Sequence, residues 1–77
     1  MTVFELLYIQ YDKLLSEIEA GVKTSVILDK AKIVYDIQND ADAHGLITFR
    51  QTCKLIELDL LIHEKLVERT RALYEKI

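Results

Sequence analysis

From Thr48 to Ile77 the chain runs thirty residues without a glycine or a proline, and it keeps a broad apolar face throughout. Proline and glycine are the residues that break helices, so this stretch predicts one uninterrupted helix. At 1.5 Å per residue the helix expected within it, over 49–76, would be about 42 Å long, more than a compact domain of 77 residues needs. The remainder of the chain must then supply shorter elements that lie against it.

Composition agrees. Half of the residues are hydrophobic and 30% are charged, with no proline and two glycines, a profile of helical bundles and coiled coils. One all-α domain over residues 1–77 is expected, with a core only just large enough to hold it. The net charge of −3 argues against a phosphate-backbone ligand, which calls for a basic footprint. Cys53 is the single cysteine, so no internal disulfide framework is possible and a reducing, cytoplasmic setting is expected. Glu5 interrupts the first apolar run and no basic region precedes it, unlike a signal peptide. No uncharged apolar span reaches membrane length.

Three helices are predicted, over about 3–20, 25–41 and 49–76. Thr2-Val3-Phe4-Glu5 reads as a capping box, and Gly21 is placed to end the first helix. On that helix Val3, Phe4, Leu7, Tyr8, Tyr11, Leu14, Leu15 and Ile18 share one face, while Leu6 and Ile9 point elsewhere. Thr24 or Ser25 is expected to cap the second helix. Its central stripe is Ile27, Ala31, Val34 and Gln38, flanked by Leu28 and Tyr35, and Val26, Ile33 and Ile37 form another. A strand over 26–34 would suit the β-branched residues, but Lys30 and Lys32 interrupt it. Gly45 then marks a turn, and Thr48-Phe49-Arg50-Gln51 repeats the capping-box pattern. The third helix carries one seam of Leu55, Ile62, Leu66, Leu73 and Ile77 and another of Phe49, Cys53, Ile56, Leu60, Val67 and Tyr74. A polar stripe of Thr52, Asp59, His63 and Thr70 is expected between them, with Leu58 and Leu61 outside both.

Several groups of residues are chemically suggestive. Asp59 and His63 are spaced i, i+4 and so adjoin on the helix; they suit a polar layer that fixes register better than a catalytic or metal site, which needs further ligands. The segment Asp40–Gln51 resembles an EF-hand calcium loop, with Asp40 and Asp42 at the first and third positions, Gly45 at the sixth and Ile47 at the eighth. The resemblance implies a calcium ligand set that includes Asp40, Asp42, His44 and Gln51. It departs from the pattern where His44 replaces an oxygen ligand and Gln51 replaces the bidentate glutamate. Cys53, beside Phe49 and Ile56, is expected to be a buried thiol rather than a nucleophile. The second and third helices also invite comparison with a helix-turn-helix, but only Arg50, Gln51 and Lys54 would reach bases from the start of the third. Lys65, Arg69, Arg71 and Lys76, interleaved with Glu64, Glu68 and Glu75, suit a solvated face better than a phosphate track.

Surplus apolar surface is the most informative feature. Leu6, Ile9, Val26, Ile33, Ile37, Leu58 and Leu61 cannot all enter one three-helix core, and so large a patch is typical of an interface. The expectation is therefore a small non-enzymatic interaction module without a cofactor. Its bundle would be completed by homodimerisation or by another protein, with Asp59, His63, Thr52, Thr70, Leu58, Leu61, Ile33, Ile37, Leu6 and Ile9 at the interface. By size and class alone it compares with adaptors and regulators of phages, plasmids and bacteria.

Overall fold

A computed structural model describes residues 1–76. It is an up-down-up arrangement of three helices with no strand among the described residues: α1 Val3–Glu19, α2 Thr24–Ala43 and α3 Phe49–Glu75. The predicted boundaries hold to within two residues.

Local chemistry accounts for where each helix starts and stops. The Thr2 hydroxyl accepts the Glu5 backbone N–H at 3.1 Å, but the Glu5 carboxylate receives that same hydroxyl instead of reaching the backbone. At α3 the box is complete: the Gln51 N–H donates to Thr48 Oγ1 at 3.1 Å and the Thr48 N–H to Gln51 Oε1 at 2.9 Å. Both glycines end helices with positive φ, +85° at Gly21 and +69° at Gly45. After each, the chain closes the same pair of bonds, Gly21 N to Ile18 O with Val22 N to Glu17 O, and Gly45 N to Asp42 O with Leu46 N to Ala41 O. This is the Schellman arrangement, which needs a residue free to enter the left-handed region.

The start of α2 differs from expectation. Helix geometry begins at Thr24, and no side chain caps it. The N-cap position falls on Lys23, whose side chain offers no acceptor, while the Thr24 hydroxyl receives Arg69 of α3, whose Nη2 donates to it at 2.8 Å. Arg69 Nη1 also donates to the Ile18 carbonyl at 3.3 Å. One guanidinium thereby joins the end of α1, the start of α2 and the body of α3.

The core is a single cluster of Leu7, Tyr11, Leu14 and Ile18 from α1, Ile27, Ala31, Val34 and Ala41 from α2, and Leu55, Ile62 and Leu66 from α3, closed at the second turn by Ile47. Val3, Phe4, Leu15, Val22 and Leu58 pack around it. Leu58 therefore belongs to the core margin and not to the surplus surface, because the inner face of α3 is wide enough to take it. Tyr11 is fully buried and its hydroxyl donates to the fully buried Gln38 Oε1 at 2.6 Å. Burial, with the Asp59 carboxylate and Tyr35 adding to it, pushes the Tyr11 phenol well above the ordinary tyrosine range.

The molecule is a rod of 48 × 18 × 16 Å. Its radius of gyration is 13.6 Å, against about 11.5 Å for a compact chain of this length. Length comes from α3, whose 27 residues outrun the 17 of α1. The stretch from Thr70 to Lys76 is exposed throughout. Leu73, placed by its spacing in one seam with the buried Leu55, Ile62 and Leu66, lies in this overhang and is exposed. Ile77, assigned to the same seam, lies outside the described residues. No described helix is long and apolar enough to cross a membrane.

Candidate interaction surface on the third helix

The inner seam of α3 is buried as its spacing predicts, through Leu55, Ile62 and Leu66. The outer seam is not. Phe49 is 81% exposed, Leu60 and Val67 57% each, and Tyr74 72%, with Ile56 and Cys53 also exposed. The expectation of a buried Cys53 is thus corrected. The apolar neighbours that suggested burial are themselves uncovered, because α1 and α2 both pack on the opposite side of α3.

The polar stripe resolves into two parts. Thr52 and Asp59 are half-buried at the margin of the core, and the Thr52 hydroxyl donates to Asp42 Oδ1 at 3.2 Å. His63 and Thr70 are exposed, and they fall in line with the outer seam. Phe49, Cys53, Ile56, Leu60, His63, Val67, Thr70 and Tyr74 follow one another at alternating steps of four and three. That is a heptad seam, the pattern by which one helix meets another in a coiled coil. Its first and last residues are 25 positions apart, or about 38 Å along the helix axis. The side chain of Asp59 is only 16% exposed, and its carboxylate lies 3.5 Å from His63 Nε2. It can orient the imidazole from behind the seam.

Beside the C-terminal half of this seam, α2 contributes exposed Leu28 and Tyr35. Between the two helices runs an open groove of about 450 Å³, lined by Thr24, Leu28, His63, Leu66, Val67 and Thr70 and closed at its end by Arg71 and Tyr74. A smaller recess next to it brings Lys32 and Tyr35 near Asp59 and His63.

The other sequence-derived candidates lie elsewhere. Leu6 and Ile9 on α1 and Ile33 and Ile37 on α2 are exposed, as is Leu61 on α3. None of them lies on the heptad seam. The residues of the calcium-like segment are not gathered around a common point. Asp40 and Asp42 are in the last turn of α2, which continues through Ala43. His44 Nδ1 lies 2.8 Å from the Asp40 carbonyl, and Gln51 is occupied in capping α3. Among the described residues no three histidine, cysteine or acidic side chains are grouped to hold a metal.

Sequence reasoning misses two contributors. Charge patterning groups Arg69 with a solvated basic face, although its angle on the helix puts it close to Ile62 and Leu66. Hydrophobic spacing makes Tyr35 and Leu28 flanks of a buried stripe, and only the packing of α2 beside α3 turns them outward next to the seam. No protein-family model, no curated protein and no solved structure matches the chain.

Proposed function

We propose that this chain is a non-enzymatic helical interaction module, an adaptor or regulator that works by binding protein through the outer face of α3. The protein seated on that face is a second copy of the chain. The observation that carries this reading is the heptad seam from Phe49 to Tyr74, intact in spacing and uncovered along its length. Isolated exposed apolar residues are ordinary on a protein surface, but a contiguous row at coiled-coil spacing is not.

Surface area supports a second copy as the occupant. The accessible surface is 5561 Å², while a compact monomer of 9.0 kDa exposes about 4,850 Å². The surplus of about 700 Å² approaches the roughly 800 Å² that each partner buries in a standard stable interface. Self-pairing of a helix about a two-fold axis also covers both copies at once and leaves nothing to polymerise. The thiol has no base beside it: Cys53 and His63 are ten positions apart, about 15 Å along α3, and Asp59 orients His63 without a nucleophile at hand.

Light scattering over a dilution series tests the reading, with circular dichroism as a control for folding. Wild type is expected at twice its 9.0 kDa mass at tens of micromolar. Leu60→Glu, at the middle of the seam and away from the core, is expected at the monomer mass with unchanged helix content. A wild type that stays monomeric throughout the series overturns self-association and leaves the seam to a different protein.

A further inference from the structure

The geometry points to an antiparallel pairing of α3 with the α3 of a second copy, about an axis between Leu61 and Ile62. This rests on the self-association just proposed and goes on to fix orientation and register. In that register Phe49 meets the second copy's Tyr74, Cys53 meets its Thr70, Ile56 its Val67 and Leu60 its His63. Every seam residue then has a partner, with large side chains opposite large ones at both ends and small ones opposite small next to them.

Three observations favour this orientation over the parallel one. The groove between α2 and α3 accompanies only the C-terminal half of the seam, from His63 to Tyr74. The most exposed side chain of the seam, Phe49, stands at the other end. Antiparallel pairing brings Phe49, Cys53 and Ile56 of each copy along the groove of the other, reciprocally. Parallel pairing would set the two grooves at the same level on opposite sides of the seam and leave both Phe49 rings at the end without one.

The flanking charges discriminate as well. Positions 50, 57, 64 and 71 line the solvent side of the seam as Arg, Glu, Glu and Arg. Helical side chains lean toward their own N-terminus, so in the antiparallel pair Glu57 leans toward the second copy's Arg71, twice per dimer. Glu64 meets its own copy at the axis, where water screens both. Parallel pairing instead sets Asp59 against the second copy's Glu64, also twice, with no opposite-charge pair among these positions. The apolar flank is the third observation. Leu28 and Tyr35 of α2 are brought toward the same flank of the second copy in the antiparallel pair, whereas in the parallel pair they face its charged positions.

Cys53 makes the orientation measurable. In the antiparallel register the two Cys53 residues lie far apart, while Cys53 faces position 70 of the second copy at a separation that suits a disulfide. Wild type, Thr70→Cys, and Thr70→Cys with Cys53→Ser are oxidised mildly and run on a non-reducing gel, with light scattering on the same samples. The expected result is a covalent dimer for Thr70→Cys alone, and monomer bands for the other two although both scatter as dimers. A covalent dimer of wild type, or of Thr70→Cys with Cys53→Ser, overturns the antiparallel orientation. So does a Thr70→Cys protein that scatters as a dimer but does not cross-link. Monomeric scattering by wild type refutes the underlying self-association instead, which keeps the two failures apart.

Discussion

Tyr11 and Gln38 are one polar pair in an otherwise apolar core, and the pair is only partly satisfied. The Tyr11 hydroxyl has its acceptor at 2.6 Å, but Gln38 Nε2 is buried with no hydrogen-bond partner among the described residues. Removing one member of such a pair strands the other. Tyr11→Phe should therefore cost about 1–3 kcal/mol in chemical denaturation. Adding Gln38→Met removes both the stranded acceptor and the unpaired amide at similar volume, so the double variant should recover most of that loss. A double variant less stable than Tyr11→Phe would show that the pair stabilises beyond its own hydrogen bond. Helical spacing alone makes Gln38 visible as a member of a buried stripe. It does not reveal the partner, because Tyr11 lies 27 positions away on another helix and only the α1–α2 register brings them together.

At the level of elements, the helices and their ends are readable from local rules. Thr48 with Gln51, and the two glycines, act within a few residues of themselves, so their roles need no tertiary information. The start of α2 escapes those rules for the opposite reason. Thr24 has the right side chain for a cap, yet it stands one position inside the helix, and its hydroxyl meets a long-range donor from α3 instead. That donor, Arg69, ties three elements with two hydrogen bonds. Arg69→Leu should lower stability by about 1.5–3 kcal/mol, the range for hydrogen bonds to a charged group. Arg69→Lys should restore little, since one ammonium cannot reproduce the fork that reaches the Ile18 carbonyl and the Thr24 hydroxyl together. Urea titration of the two variants checks this, and a lysine variant as stable as wild type would reduce the contact to simple charge. Angle along the helix separates Leu55, Ile62 and Leu66 from the exposed row that begins at Phe49, but it misplaces Leu73, which is exposed. It does not say which of the two rows the chain itself covers, because both are apolar and the choice depends on where α1 and α2 settle.

For the molecule as a whole, the proposed pairing through the uncovered seam would link folding to association. Only folded chains would enter such a dimer, so the midpoint of thermal unfolding should rise with protein concentration. Leu60→Glu should remove that dependence while leaving a folded monomer of lower midpoint. Scanning calorimetry at several concentrations checks both, and a midpoint independent of concentration in wild type would deny the linkage. The existence of surplus apolar surface is legible in the amino-acid sequence, which holds more hydrophobic residues than one three-helix core can take. Its location is legible only in part: Leu61, Ile33, Ile37, Leu6 and Ile9 are exposed as expected, but the continuous row is a seam not counted among the surplus residues.

The two helix-ending glycines have a further consequence, one of handedness. A β-carbon built on Gly21 or Gly45 meets no atom within 4 Å, so bulk is not what reserves these positions for glycine. The backbone there turns at φ of +85° and +69°, which an L-residue enters only at a steric cost and a D-residue enters by preference. A D-alanine at either turn would match that backbone region while restricting the unfolded chain. The fold thus contains two points at which mirror-image chemistry suits it better than the side chains the ribosome can supply.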